Sequence, residues 1–339
     1  MSEIFVEVTR GPLVECIHRG DAVVVDYRGR VLAYSGDAYK VTYIRSAAKP
    51  IQTMNVILSG AADRFKFTDK ELAIMCASHY GEDFHVKTLS EMLNKINIKR
   101  EALLCGETYS INQAYRQKQL KENHQITTLN CDCSGKHIGV IATCLHKGYG
   151  LIDYNTNEHP VQRDTLEVVA NVCDIDKEKI ILGVDGCSVP VFGMPLYNMA
   201  LGYARMVTGY GLNDDYKAAA ERIYNSMVSY PEMVAGTNGF CTELMKAADG
   251  KLIGKLGAEA VYCIGVKDLG VGIAVKIEDG NYRALYPAVM KILEDMKILN
   301  YSEISRLSNF KNPPNLNNKG VKVGEIRAVV DMKKIKEFH

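Results

Sequence analysis

The chain has no surplus of either charge: 41 Lys and Arg stand against 40 Asp and Glu in 339 residues, a net of +1. With no basic stripe and no acidic tail, nothing concentrates a polyanion on its surface, and nucleic acid is excluded as an expected partner. No run approaches the ~20 consecutive apolar residues of a membrane span. The opening Met1-Ser2-Glu3-Ile4 lacks the charged and apolar regions of a secretory signal, so a cytoplasmic protein is expected. Internal repeats and low-complexity tracts are also missing, which excludes a repeat array.

What is present is a chain that is 47% hydrophobic and long enough to bury a large core in two lobes or one large domain. Ten cysteines in a chain of this size and compartment are expected to stay reduced, as core residues, metal ligands or nucleophiles. Cys16, Cys76, Cys105, Cys144, Cys173, Cys241 and Cys263 sit in apolar surroundings and read as core.

Residues 22–36 read as two apolar strands around the turn Arg28-Gly29. At the other end, residues 258–266 and 271–277 are apolar, Asp279-Gly280 reads as a hairpin turn, and residues 282–286 resume an extended pattern before Pro287 opens a helix ending near Leu299. Residues 312–320 read as a loop followed by a short tail. Between the ends lies helical spacing over 47–58, 69–75, 86–96, 136–145, 160–172, an alanine-rich stretch through Ala204, and 214–228. Because sequential strands usually pair, the two ends are expected to share one mostly antiparallel sheet flanked by helices. The expected division is a discontinuous sheet lobe, residues 1–60 and 250–339, with an inserted α-rich lobe over 61–249, the two forming one functional unit.

Chemistry concentrates in a few short motifs. A serine hydroxyl is barely ionised at neutral pH and attacks carbonyls only when a base takes its proton, a task open to a lysine three residues on. Ser46-Ala47-Ala48-Lys49 has that form, whereas Ser308-x-x-Lys311 lies in a loop region and reads as accidental. Ser46 follows an extended segment and begins a helical pattern, where free N–H groups favour an oxyanion and Pro50 is tolerated. The bland alternative is an N-cap serine with a solvated lysine. Ser78 in a second serine motif and Lys255-Leu256-Gly257 on a strand follow in the order seen in penicillin-recognising enzymes. Ser78-His79-Tyr80 and the hydroxyl-free Leu256 depart from that pattern, which argues against a β-lactam substrate. Cys133-x-x-Lys136-His137 and Asp185-x-Cys187 offer two thiolates, an amine, an imidazole and a carboxylate, a mix zinc accepts, with Cys131 as a spare. Spacing alone favours the bland readings, core cysteines or a Cys133–Cys187 disulfide, over a metal site.

Taken together, residues 45–50, 76–79, 133–137, 159–160, 185–187, 231–236 and 276–280 resemble the rhizobial-type (class 3) L-asparaginases, the asparaginase II family, over residues 5–325. The resemblance implies an α/β, serine-β-lactamase-like fold, a homodimer, and hydrolysis of L-asparagine to L-aspartate and ammonia. It implies Ser–Lys tandems at Ser46 with Lys49 and Ser78 with Lys255, and zinc ligands at Cys133, Lys136 and Cys187. Arg45, His79, Asp185 and His137 are the implied substrate contacts. On this reading Lys49 is kept neutral by burial and by Lys255 and Arg45, and deprotonates Ser46. The rival functions are a glutaminase-like or other small-amide hydrolase, and a non-catalytic amino-acid or peptide-binding protein on the same scaffold.

Overall fold

The computed structural model describes residues 1–335. Its first unit comprises Met1–Ala47, Met194–Tyr210 and the chain from Glu243 onward. Here both chain ends contribute to one sheet, as expected. The strand order is Pro314–Leu316, Lys322–Ala328, Glu3–Arg10, Leu13–Asp26, Val271–Ile277, Val261–Val266, Leu252–Gly257, with Val31–Ser35 also paired to Leu13–Asp26. Neighbours are antiparallel, and the two ends of the chain meet from Gly20↔Ile277 to Asp26↔Val271.

Every residue of Val261–Val266 and Val271–Ile277 is buried. Strands covered on both faces read as continuous apolar runs instead of alternating ones. The helices Leu196–Thr208 and Tyr282–Asp295 both pack on Val271–Ile277. Gly265 and Gly272 face each other in register. A Cβ at Gly272 would lie 1.7 Å from the Ala200 carbonyl, and one at Gly265 2.8 Å from that of Tyr203. This glycine pair lets a helix backbone lie directly on the sheet, and it explains why Leu196–Thr208 belongs to the first unit although the sequence places it within the inserted lobe over 61–249.

Four elements differ from the sequence reading. Residues 282–286 are helical, not extended, and Pro287 lies inside Tyr282–Asp295. Asn281 caps that helix by accepting from Arg283 N–H, and Ala284, Leu285, Ala288, Val289, Ile292 and Leu293 are buried at helical spacing. Burial of that stripe outweighs the one backbone hydrogen bond that proline cannot donate. Glu3–Arg10 is a strand whose alternation is broken by register shifts at Ile4/Val6 and Val8/Thr9. Pro314–Leu316 and Lys322–Ala328 extend the sheet where the sequence reads as loop and tail.

The second unit, Ala48–Gly193 with Gly211–Thr242, is helical with one hairpin, Ile181–Val184 against Pro190–Pro195. The helix Lys49–Leu58 packs on Ser134–Lys147, Pro160–Cys173 and Asp214–Ser229. Ser134–Lys147 in turn lies close to Asp69–Met75, where a Cβ at Gly135 would sit 2.2 Å from the Ile74 carbonyl. That close approach fixes the depth of the helix start bearing Cys133, Lys136 and His137. Among the described residues no helix is long and apolar enough to cross a membrane.

Candidate active site

In the first unit, Arg45 has φ +52°, a left-handed conformation costly for a side chain with a Cβ, and it delivers the chain into the 3-10 turn Arg45–Ala48 that carries Ser46. The α-helix proper begins at Lys49, with Pro50 in its first turn. Ser46 is half-buried and therefore stands on a tight turn ahead of the helix. Lys255 is fully buried on Leu252–Gly257 and donates to the Leu256 carbonyl at 2.7 Å. Two residues on, a Cβ at Gly257 would lie 2.6 Å from the Ile44 carbonyl and 3.3 Å from Ala47 N. The strand of Lys255 thus packs by backbone contact on the turn of Ser46.

The second unit gathers the remaining predicted residues. Lys49 is fully buried, and its Nζ donates to Ala77 O at 2.6 Å, Ser78 Oγ at 3.1 Å, and Asp132 Oδ2 and O at 3.3 and 3.4 Å. Four acceptor atoms on three residues surround the three donors of an ammonium. Burial alone would push the Lys49 amine down, but Cys133, Asp132 and Cys187 more than offset it and hold the amine above its ordinary range. Cys133, Asp132 and Cys187 favour the charged form of Lys49, whereas the sequence reading expects a neutral amine there. Asp132 is the residue that sequence reasoning missed. Its only signal was a carboxylate between two cysteines.

Ser78 is held by its own N–H donating to Val234 O at 3.0 Å, and Tyr80 N–H donates to Ala235 O at 2.8 Å. Between them, His79 Nδ1 accepts from Gly81 N–H at 3.1 Å, which leaves Nε2 to donate to Ser134 Oγ at 2.9 Å. Both ring nitrogens are thereby engaged within the protein, and His79 locks the start of the Ser134–Lys147 helix to the Ser78 segment, not to a substrate. Burial holds the His79 imidazole well below its usual range, helped by His85, on which it stacks at 5.1 Å.

His137 is different. Tyr154 O–H accepts from Leu104 N–H at 2.8 Å and donates to His137 Nδ1 at 2.7 Å. The remaining Nε2–H is buried without a partner among the described residues. Burial, reinforced by the Lys136 ammonium, pushes this imidazole down to about 3, so it is a neutral donor. An orphaned buried donor next to the Cys133 turn suits a substrate oxygen.

The hairpin turn after Val184 brings Asp185 and Cys187 to the helix start, where Cys133 Sγ, Cys187 Sγ and an Asp185 oxygen lie within 4.8 Å of one another. Lys136 Nζ is 3.0 Å from Cys187 Sγ. A hydrogen bond from Cys133 lowers the Cys187 thiol to about 6, against burial and with the help of the Lys136 ammonium. All ten cysteines are free, which removes the Cys133–Cys187 disulfide, and Cys16 is exposed, not core. Two sulfurs, an amine nitrogen and a carboxylate at this spacing are a donor set that fits a tetrahedral zinc ion once Lys136 gives up its proton. A surface cavity of about 590 Å³ lined by Arg19, Asp21, Lys40 and Glu278 in the first unit contains none of these residues.

Residues 6–328 match the family model described as L-asparaginase II. No curated protein sequence matches the chain. Among solved structures, the chain is similar to a Bacteroides dorei protein assigned as a β-lactamase, at 12% identity, TM-score 0.43, covering 81% of this chain and 93% of that one. A Mycobacterium bovis β-lactamase gives 12% identity and TM-score 0.43 over 83% and 95% of the two chains. A simvastatin synthase from Aspergillus terreus gives 11% and 0.37 over 76% and 86%.

Proposed function

We propose that this chain, which belongs to the L-asparaginase II family, hydrolyses L-asparagine to L-aspartate and ammonia through an acyl-enzyme, acting in the cytoplasm as a homodimer. The observation that carries the reading is the buried Lys49 Nζ–Ser78 Oγ contact at 3.1 Å, a hydroxyl and an amine in proton-transfer range beside the sulfur-rich donor set. Family membership supports an asparaginase-type amidohydrolase; the individual substrate and the residue roles are inferences from the site.

In this reading Ser46 Oγ attacks the side-chain amide carbon and Lys49, once deprotonated, receives the hydroxyl proton. Backbone N–H groups of the Arg45–Ala48 turn and the helix start receive the oxyanion. Ser78 returns the proton to the departing ammonia, and water cleaves the aspartyl ester by the reverse transfers. Lys255 serves as the lysine of the second tandem, with Arg45, Asp185 and His137 Nε2–H for the polar groups of the substrate. Zinc held by Cys133, Lys136 and Cys187, with Asp185 beside them, would supply positive charge near Lys49 that favours its neutral form, and an open position for the α-amine or α-carboxylate.

The Lys49–Ser78 hydrogen bond also favours a second reading, in which Ser78 is the attacking oxygen and Ser46 the relay. Ammonia release from asparagine and glutamine by purified protein tests the function itself. An asparaginase prefers asparagine and loses release in Ser46→Ala or Ser78→Ala; equal rates point to a broader amidohydrolase, and no release with either amide points to a binding protein.

A further inference from the structure

Tyr203, fully buried on the helix Leu196–Thr208, donates its hydroxyl to the Ala47 carbonyl at 2.8 Å. Ala47 lies inside the Arg45–Ala48 turn, directly after Ser46, and is itself buried. A continuing 3-10 turn would cap that carbonyl with the N–H three residues on, but residue 50 is proline and has none. The α-helical ladder starts only at Lys49, with Ala48 as its N-cap. A hydroxyl 156 positions away in sequence therefore supplies a donor that the local chain withholds. At a buried carbonyl a missing donor is costly.

Tyr203 reaches the turn from a fixed base, because the glycines that seat its helix on the sheet lie against the Ala200 and Tyr203 carbonyls. The strand of Lys255 meets the same turn through Gly257, whose Cβ would lie 3.3 Å from Ala47 N, while Ala47 N–H donates to Ile44 O at 3.2 Å. Both polar groups of the Ala47 backbone are thus held, just downstream of the left-handed Arg45, a conformation that persists only with outside support. We infer that Tyr203 is a positioning residue for the reaction: its hydroxyl fixes the Ala47 carbonyl, and with it the direction in which Ser46 presents its oxygen. The inference rests on the reading above in which Ser46 reacts, as attacking oxygen or as relay. A reacting group displaced by about 1 Å loses on the order of 10²-fold in rate.

The test compares Tyr203→Phe, which keeps the ring and its packing, with Tyr197→Phe in the full chain. Tyr197 sits on the same helix and donates to the Gly29 carbonyl at 2.8 Å, so its variant loses the same kind of bond at a different carbonyl. Two quantities are read: amide hydrogen exchange of the peptide spanning residues 44–51, and kcat and KM for ammonia release from asparagine. In Tyr203→Phe, exchange in that peptide should rise about tenfold. Its kcat should fall about 10–100-fold with KM within about threefold of wild type, and Tyr197→Phe should change neither quantity. Equal exchange in the two variants, or a Tyr203→Phe kcat within about twofold of wild type, overturns the inference, even if both variants lose thermal stability as a purely structural role requires. If the wild-type protein releases no ammonia, the hydrolytic reading falls alone, and the exchange comparison still decides whether Tyr203 holds the turn of Ser46.

Discussion

Lys49 Nζ and Asp132 Oδ2 form a partly buried ion pair at 3.3 Å, with the carboxylate 23% exposed and the lysine not at all. Cys133, this carboxylate and Cys187 together favour the charged form of the candidate base against the effect of burial.

Asp132→Asn removes the nearest full negative charge from Lys49 and makes the ammonium easier to deprotonate. The rising limb of the kcat/KM profile for ammonia release should move to lower pH by about one unit or more. An unmoved limb would mean that Lys49 is not the group whose ionisation the profile reports.

Lys49→Met should lower kcat about 10²–10⁴-fold with the fold retained, as expected for the loss of a proton-transfer group. Lys255→Met tests the second lysine in the same assay. Retention of wild-type turnover in either variant would remove that lysine from the mechanism.

Three buried histidines make the second unit acid-sensitive. Burial pushes His137 to about 3 and His85 to about 4, and holds His79 well below its ordinary value. In the unfolded chain each takes up a proton near 6.5, so between about pH 6.5 and 4 the unfolded state binds more protons and stability rises with pH. Urea midpoints should fall by the equivalent of about 1–2 kcal/mol per histidine between pH 7 and 5. A midpoint constant over that range would contradict the assigned neutral state.

Gly257→Ala should cost more than ~2 kcal/mol and depress ammonia release, because its Cβ would meet the Ile44 carbonyl at 2.6 Å and push on the turn of Ser46. Gly150→Ala, where nothing lies within 4 Å, is the matched control. Equal thermal midpoints for the two would show that the strand and the turn are not in backbone contact.

Much of this was legible in the letters, and what was not has identifiable causes. The apolar runs at 261–266 and 271–277 and the Arg28-Gly29 turn announce the central sheet because period and turn chemistry are local. Glu3–Arg10 hides behind two bulges that break its alternation, and Pro287 masks a helix that only the buried stripe from Ala284 to Leu293 reveals. Cys133, Lys136 and Cys187 are readable as a donor set by residue type. That the Cys131 thiol donates to the Cys105 carbonyl, 26 residues earlier, is tertiary information that no spacing carries. Likewise Tyr154 gives no sign in sequence that it fixes the tautomer of His137.

The most direct measurement is acid-quench mass spectrometry of the protein mixed with L-asparagine, with peptide mapping of any aspartyl ester and ammonia counted in parallel. The account predicts an ester on Ser46, or on Ser78 in the second reading, accumulating no faster than ammonia appears and absent from Lys49→Met. Ammonia release at full rate from a protein lacking both hydroxyls, Ser46→Ala with Ser78→Ala, would contradict it.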